Sequence, residues 1–366
     1  RNKKTVSDPN TNYYLIIGGF VVVMLVVVFM FVLNPKESVL DKQVIDENEF
    51  LVHNLGNNLF SSGPNEQFQG FSMNEARKFF NIGISDSPNL NTCPPTEDVD
   101  VPEAYDFRTD EARKGCVDTP RQTGNCTAGH VFSVISTVED RICIAGNGNE
   151  RFRLSAQDAI GCDSANYNCD GGYVTHVLDY GVEQGFVKEE CLPYTGTNTT
   201  CSEEINECRI EQEQFKLLGH CVVQGPDQIK KEIIQNGPVI APLTPFTDFL
   251  TYKDGIYFPG EGSFKFNGQQ AVKIIGWEPT MNGEVWIIEN SWGPSWGEGG
   301  YAKVIAGHKD LGLDYIAIAP KIIPMNSADW EDESERMQQQ YKDYEEAQAA
   351  ETDEIEDDDD ENFDLD

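Results

Sequence analysis

The order of two hydrophobic patterns along the chain most constrains what it can fold into. Residues 130–144 place valine and isoleucine at helical spacings, which predicts an amphipathic helix with its N-terminus at Gly129. Residues 226–236 form a second helical pattern, which ends at Gly237. From residue 238 onward, short β-branched and aromatic runs alternate with glycine turns, which is typical of strands. A helical part followed by a strand-rich part predicts an α+β protein with two packed subdomains.

An apolar run at positions 13–33, with 21 residues and no formal charge, predicts a transmembrane helix. About 20 apolar residues cross a bilayer as a helix. A cleaved signal peptide and a buried core helix are the alternatives, but no small-residue cleavage site follows the run. Basic residues within positions 1–12 favour a cytoplasmic N-terminus. We therefore expect a single-pass signal anchor, with the main domain in the secretory or endolysosomal lumen or outside the cell.

Charge and cysteine content narrow the class of protein. The net charge of −35 argues against nucleic acid as a partner, because phosphate contacts need a basic face. Ten cysteines, an even number, predict disulfides formed in an oxidising compartment. Reduced cytosolic thiols or a metal site are the alternatives, but the spacing lacks the paired C-x-x-C units of zinc sites. We expect no metal and no cofactor.

The C-terminal residues 322–366 are strongly acidic. Residues 331–366 hold 18 acidic residues against two basic ones. Low hydrophobicity with high net charge is typical of a solvated, disordered tail. Weak Ca²⁺ buffering by carboxylate oxygens and attraction of a basic partner are the functional alternatives.

One short segment follows the sequence signature of a reactive cysteine site. Residues 122–132 read Q-T-G-N-C-T-A-G-H-V-F, which follows the signature C-G-[SA]-C-[WY], with Cys126 and Ala128 in two of its positions. Related runs stand in matching order: V-P-E-A-Y-D-F-R at 101–108, L-S-A-Q-D at 154–158, C-D-G-G-Y at 169–173, C-L-P-Y at 191–194, N-G-P-V at 236–239, A-V-K-I-I-G-W at 271–277 and N-S-W-G-P-S-W-G-E-G-G-Y at 290–301. Over about residues 101–320 the chain resembles the papain family of cysteine peptidases, nearest to its cathepsin B-like branch.

The resemblance implies a papain-like fold over residues 100–321, with a helical left half and a β-barrel-like right half. The run F-Q-G-F-S-M-N-E-A-R-K-F-F-N-I-G at 68–83 resembles the propeptide of the same branch and includes a helical stretch near 73–80. Residues 34–99 are therefore interpreted as a propeptide-like region.

Hydrolysis in this family needs a thiol at a helix N-terminus, a histidine base, an asparagine that orients the histidine, and a glutamine at the oxyanion. Here the nucleophile position holds Gly129 and the histidine position holds Gln270. The oxyanion position holds Thr123, and only the orienting residue, Asn290, is kept. A glycine has no side chain that could attack, so the resemblance implies a peptidase fold without peptidase chemistry.

A different alignment of the motif would place Cys126, rather than Gly129, at the nucleophile position. Phe132 lies six residues after Cys126 and three after Gly129, which matches the structural and the catalytic cysteine of the family. Cys169 stands at the position that bridges to the structural cysteine. We therefore favour Cys126 as half of a disulfide.

Two neighbouring residues have alternative interpretations. Gln122 would be the oxyanion glutamine if one residue were inserted. His130 stands where tryptophan is usual, and we favour a packed helix residue over a replacement base or ligand. The retained cleft is implied to include Gly171, Gly172 and Trp292.

The resemblance also implies disulfides and leaves two cysteines over. The implied pairs are Cys116–Cys143 and Cys126–Cys169, with Cys162–Cys201 and Cys191–Cys208 as one arrangement of the next four. Pairing of the remaining Cys93 with Cys221 is a conjecture. Sequons begin at Asn125 and Asn198. We expect Asn125 to be buried inside the motif, so Asn198 is the favoured glycan site.

Three functions follow from these patterns. The first is a membrane-anchored, inactive papain/cathepsin B-like homologue with a binding or regulatory role through its cleft, whose ligand is a peptide or protein. The second is an active cysteine-type endopeptidase that uses Cys126 or a rearranged site. The third is a lumenal structural or ion-buffering protein that acts through its acidic tail. The lost thiol and imidazole favour the first.

Overall fold

The computed structural model describes residues 42–44, 59–87, 90–94, 99–148, 151–201, 207–210 and 214–322, together with 339 and 343. The predicted anchor at 13–33 and the acidic tail at 322–366, apart from residues 322, 339 and 343, lie outside this part. Within the described residues, no helix is both long and apolar enough to cross a membrane. The elements below belong to one compact unit that begins at Gln43.

The helices of the described part include the two that the sequence predicts. The α-helices are α1 (Met73–Ala76), α2 (Gly129–Ala145), α3 (Ala156–Cys162), α4 (Val174–Glu183) and α5 (Pro226–Asn236), and residues 207–210 form a further turn. Short 3-10 helices span Arg77–Phe80, Lys114–Cys116, Asn168–Asp170 and Thr247–Thr251. The predicted helices at 130–144 and 226–236 are confirmed as α2 and α5.

The helical stretch predicted near 73–80 is confirmed in two parts. Only α1 is α-helical, and the 3-10 helix follows it directly. A capping box begins α1, because Ser72 accepts a hydrogen bond from Glu75 N and the Glu75 carboxylate accepts one from Ser72 N. Burial of Phe79 and Phe80 then holds the 3-10 turn against the core.

The described strands form one large sheet and one short pair. They are β1 (Phe60–Ser62), β2 (Ile82–Gly83), β3 (Tyr105–Asp106), β4 (Gly172–Tyr173), β5 (Leu217–Gln224), β6 (Val239–Leu243), β7 (Tyr252–Tyr257), β8 (Gln270–Thr280), β9 (Gly283–Glu289), β10 (Tyr301–Ile305) and β11 (Ile316–Ile322). In the described part, the large sheet has nine strands in the order β1-β7-β10-β9-β8-β6-β11-β5, with β3 also paired to β8. β7 and β10 run parallel, and β2 and β4 form the separate parallel pair.

The strand-rich region predicted after residue 238 is confirmed by β6 to β11, but the sheet begins earlier in the chain. β5 precedes residue 238 and is buried at nearly every position. A strand covered on both faces shows no polar alternation, so the period of two is absent from its sequence. β1 comes from the propeptide-like region and adds an edge to the sheet.

Two large groups of buried side chains and a third, much smaller one fill the unit, and together they confirm the predicted α+β class. The two large groups differ in position. One group surrounds α2 and includes Val134, Ile135 and Val138. The other packs on the sheet and includes Trp292 and Trp296. Four phenylalanines of the propeptide-like region belong to the second group: Phe60, Phe68, Phe79 and Phe80. This region is therefore part of the core.

All ten cysteines lie in the described part, and none of them is free. The disulfides are Cys93–Cys221, Cys116–Cys143, Cys126–Cys169, Cys162–Cys201 and Cys191–Cys208. Four of these are the pairs that the resemblance implies. The fifth joins the propeptide-like region to β5.

Candidate functional site

The N-terminus of α2 is the centre of the site. Gly129 is the first residue of α2, and the N-cap, Ala128, has no side chain that could cap the helix. The partial positive charge of a helix N-terminus favours a thiolate, and catalytic cysteines exploit it. Gly129 has the backbone position for such activation but offers no nucleophilic atom.

The space beside Gly129 is filled by two other side chains. A Cβ built on Gly129 would lie 2.9 Å from both amide atoms of Gln270 and 2.9 Å from Ile82 Cδ1. Real Cβ atoms do not approach other heavy atoms so closely, so any side chain at this position would need its neighbours to move. Residues of β8 and of the propeptide-like region thus occupy the place of the reactive group.

Gln270, the first residue of β8, is 1% exposed and is held by the start of the N-S-W-G run. Its Nε2 donates hydrogen bonds to Asn290 Oδ1 at 2.9 Å and to Ser291 Oγ at 3.1 Å. Asn290 Oδ1 also accepts from Ser291 N at 2.8 Å, whereas Asn290 Nδ2 has no hydrogen-bond partner within the described part. The structure therefore brings Gly129, Gln270 and Asn290 together. An amide cannot take up a proton near neutral pH, so no base is present at this position.

The position that the resemblance assigns to the oxyanion glutamine holds Thr123, whose backbone groups are hydrogen-bonded within the protein. Thr123 is buried, its N donates to Ser291 O at 3.0 Å, and its O accepts from the Tyr194 hydroxyl at 2.7 Å. Gln122 is exposed and forms a β-bridge with Trp292. Gln122 therefore lies near the N-S-W-G run, one residue away from the family position.

His130 is fully buried in the first turn of α2. Neither ring nitrogen has a hydrogen-bond partner among the described residues. Burial, with a smaller contribution from the charge of His176, lowers the pKa of His130 to about 3. The ring is therefore neutral at physiological pH.

Cys126 is 0% exposed and bonded to Cys169. A disulfide sulfur carries no thiolate, which is the attacking species in cysteine chemistry. In this form of the protein Cys126 cannot attack a substrate.

The cleft between the helical and strand-rich parts holds a segment of the same chain. Gly172 N donates to Asn81 O at 3.1 Å on one wall, and Gln269 N donates to Phe80 O at 3.0 Å on the other. A Cβ on Gly171, whose φ is 103°, would overlap Asn81 O. A glycine is therefore required on this wall to admit the segment.

The same segment covers the cleft residue Trp292. Phe68 is fully buried, and its ring meets the Trp292 ring edge-on with centroids 4.9 Å apart. Gln67, which is 4% exposed, donates through Nε2 to Gly124 O at 2.6 Å, beside the oxyanion loop. Sequence reasoning missed this contribution, and its only signal is the density of phenylalanine near positions 68–80.

A buried ion cluster supports the strands behind the site. Lys273 Nζ lies 2.6 Å from Asp140 Oδ2 and 2.9 Å from Glu289 Oε2, and all three side chains are at least nine-tenths buried. Burial alone would lower the pKa of Lys273, but the two carboxylate charges outweigh burial and raise it. The sequence signal is one lysine inside the apolar run A-V-K-I-I-G-W. The cluster joins α2, which carries Gly129, to β8, which carries Gln270.

One of the two N-x-[ST] sequons differs in burial from what the sequence predicts. Asn125 is exposed although its neighbours Cys126 and Thr127 are buried, so the expectation of a buried Asn125 was wrong. Asn198 is also exposed, and its Oδ1 accepts a hydrogen bond from Cys169 N at 2.9 Å. No group of three or more acidic, histidine or cysteine side chains suited to a metal occurs in the described ranges.

Comparison with known proteins points consistently to cysteine proteases. The family model of papain family cysteine proteases matches residues 101–321. Cathepsin B-like CP2 of Giardia intestinalis is 28% identical over 274 residues, which cover 71% of this chain and 88% of the relative. Cathepsin B-like cysteine proteinase 4 of Caenorhabditis elegans is 30% identical over 275 residues, covering 63% and 82%.

A solved structure shows the same fold at lower identity. Procathepsin B S9 from Trypanosoma congolense superposes with a TM-score of 0.66 at 22% identity and covers 77% of this chain and 99% of its own. The family match spans more than half of the sequence and includes Gly129, Gln270 and Asn290. The chain therefore belongs to the papain family of cysteine peptidases.

Proposed function

We propose that this protein is a catalytically inactive member of its family, with a binding or regulatory role through its cleft. One observation carries the proposal: the Gln270 amide lies 2.9 Å from where a Cβ at Gly129 would be. Residue 129 thus offers no nucleophile, and the side chain of Gln270, which is not a base, fills the space where one would stand. The disulfide of Cys126 supports the same conclusion, because it removes the rival thiol.

The ligand class that suits the cleft is an extended peptide or protein segment. The two walls offer backbone donors at Gly172 and Gln269, and both pair with carbonyl oxygens of residues 80–81. Backbone recognition of this kind does not depend on a reactive centre. An external peptide would use the same donors after residues 80–84 had left them.

We also propose that residues 13–33 anchor the chain in a membrane and that the main domain lies in an oxidising lumen or outside the cell. Five disulfides favour such a compartment. Asn198 is a glycan site within this proposal, because its exposure is compatible with a glycan, and the exposed Asn125 is equally compatible with one. A nucleic acid partner is not part of the proposal, because the net charge is −35.

The proposal is tested on the purified protein with its disulfides intact. Fluorogenic peptide substrates should show no hydrolysis above buffer, and an epoxide or vinyl-sulfone thiol probe should give no adduct by mass spectrometry. The matched control is the same protein after unfolding and reduction, in which the probe should label the cysteines. An adduct at Cys126, or hydrolysis that the substitution Cys126→Ser abolishes, would establish the active-peptidase alternative instead.

A cellular test separates the cleft from the acidic tail. Deletion of residues 331–366 should leave function intact. Gly172→Val should abolish it, because the new side chain would overlap Asn166 and displace the wall that binds Asn81. The reverse result would support the structural or ion-buffering alternative. Equal expression of the two variants is the necessary control.

A further inference from the structure

Residues 59–87 and 90–94, which we name the cleft strap, are attached to the rest of the unit at three places. The first is the edge of the large sheet. Ile256 N donates to Leu59 O at 2.7 Å, and Gly63 N donates to Thr251 O at 2.8 Å. Phe60 lies between them and is 3% exposed. The N-terminal end of the strap is therefore a strand of the sheet.

The second attachment is the crossing of the cleft. Phe80 O and Asn81 O accept backbone hydrogen bonds from opposite walls, as described above. Glycines on both walls make room for these carbonyl groups, because a Cβ on Gly171 would overlap Asn81 O and a Cβ on Gly268 would overlap Phe80 O. The walls are shaped around this particular backbone path.

The third attachment is covalent. Cys93 is bonded to Cys221 in β5, and the two residues are 8% and 2% exposed. Backbone hydrogen bonds flank the disulfide, from Cys93 N to Val222 O and from Val222 N to Asn91 O, each 2.8 Å long. The C-terminal end of the strap is therefore both bonded and paired to the sheet.

The order of these attachments along the chain determines whether a backbone cut would release the strap. The disulfide lies after the cleft crossing at residues 80–84 and before Val101, where the family match begins. A cut between Cys93 and Val101 would separate the propeptide-like region from the rest of the backbone, but Cys93 would still hold it. A tethered segment stays at a high effective concentration beside its site, so it would rebind after each opening.

We propose that the cleft strap is a permanent part of the folded domain, which a backbone cut between Cys93 and Val101 does not release. Release would require a second event, the reduction of Cys93–Cys221 by a dithiol, which yields two thiols while the reductant closes its own disulfide. The inference rests on the proposed function in one respect, since a cleft that hydrolyses nothing need not be vacated. It makes the strap the resident occupant of the cleft, and an external peptide would have to compete with it for the same backbone donors.

The test inserts a site for a sequence-specific protease between Pro95 and Thr96 in the full chain. Cys93 is the only cysteine of this sequence before that cut. After complete cutting, a denaturing gel without reductant should show one undivided species, and the same gel with reductant should show two fragments. A free N-terminal fragment without reductant, or alkylation of Cys93 and Cys221 in the unreduced, unfolded protein, would overturn the proposal.

The matched control carries Cys93→Ser and Cys221→Ser with the same inserted site. After cutting, it should release the N-terminal fragment in denaturant without reductant, and slowly on dilution in native buffer. If this variant fails to fold, mass mapping of the disulfide in the parent protein and the parent's unreduced gel still decide the question. The readout is fragment retention, so hydrolysis by a protein that keeps its strap would refute only the proposed inactivity.

Discussion

Gln270 Nε2 donates a 2.9 Å hydrogen bond to Oδ1 of Asn290, the residue at the family's orienting position. The pair keeps the hydrogen-bond geometry of the site, but glutamine replaces a group that could gain a proton. A histidine titrates near neutral pH, whereas an amide does not. The pair is therefore ordered by hydrogen bonds although neither of its side chains titrates near neutral pH.

Replacing Gln270 tests how much this hydrogen bond contributes to stability. In Gln270→Leu, Ser291 Oγ loses its donor and Asn290 Oδ1 retains only Ser291 N. Leaving buried polar atoms without a partner costs about 1–3 kcal/mol. Urea unfolding should show this loss, and Gln269→Leu, at a half-buried neighbouring position, should show less. Equal losses in the two variants would contradict a specific role for the Gln270 amide.

Removing the charge of Lys273 should be far more destabilising than removing a partly exposed lysine. Lys273→Met would leave Asp140 and Glu289 buried without their cation. Breaking a buried ion pair from one side costs about 3–5 kcal/mol.

The matched control for this change is Lys303→Met. Lys303 pairs with Glu278, but both side chains are about one-third exposed, and pairs of that kind contribute about 0–1 kcal/mol. Denaturant midpoints of the two variants give the comparison. A Lys273→Met protein as stable as Lys303→Met would show that the buried cluster does not support the site.

Acid stability should depend on His130. The pKa of His130 falls from an ordinary 6.5 to about 3 in the folded protein because of burial. Between these pH values the unfolded chain binds a proton that the folded protein excludes, so the free energy of unfolding falls as pH falls. Each pKa unit is worth about 1.36 kcal/mol, which bounds the total effect at about 5 kcal/mol.

His130→Phe should abolish this dependence, because phenylalanine fills a similar volume and does not titrate. Thermal unfolding of both proteins between pH 7 and pH 4 measures the difference. The buried Glu139, whose pKa burial raises to about 7, contributes equally to both and cancels in the comparison. Parallel pH profiles for the two proteins would show that His130 is not buried as described.

Placing a thiol and an imidazole at the family's nucleophile and base positions should create thiol reactivity. Gly129→Cys with Gln270→His places a thiol at the N-terminus of α2 and an imidazole beside Asn290. A helix N-terminus and a nearby histidine both favour the thiolate. Iodoacetamide labelling of residue 129 should therefore be detectable, and Gly129→Ser with Gln270→His is the inert control.

The strap should limit this reactivity. Ile82 Cδ1 would lie 2.9 Å from the new Cβ at residue 129, so adding Ile82→Ala should make labelling several-fold faster. Labelling at an equal rate in both backgrounds would mean that Ile82 does not cover the position. Complete inertness of all the variants would mean that the site no longer accommodates a thiolate.

The sequence by itself determined the family, the helices α2 and α5, the strand-rich region after residue 238, and the residue types that stand at the family's nucleophile and base positions. Each of these depends on residue identity and spacing along the chain. The helix beginning at Gly129 is visible because its apolar residues repeat with the helical period. The absence of a thiol at Gly129 and of an imidazole at Gln270 needs no coordinates, since neither residue type contains the necessary group.

Only the tertiary structure decided which side chains fill the space beside Gly129. Ile82 and Gln270 meet at Gly129 from distant parts of the chain, and no local pattern records that contact. The pairing of Cys93 with Cys221 was likewise open in the sequence, because cysteine positions alone do not specify connectivity. Residue identity and spacing show which chemical groups a chain contains, whereas tertiary packing decides which of these groups come into contact.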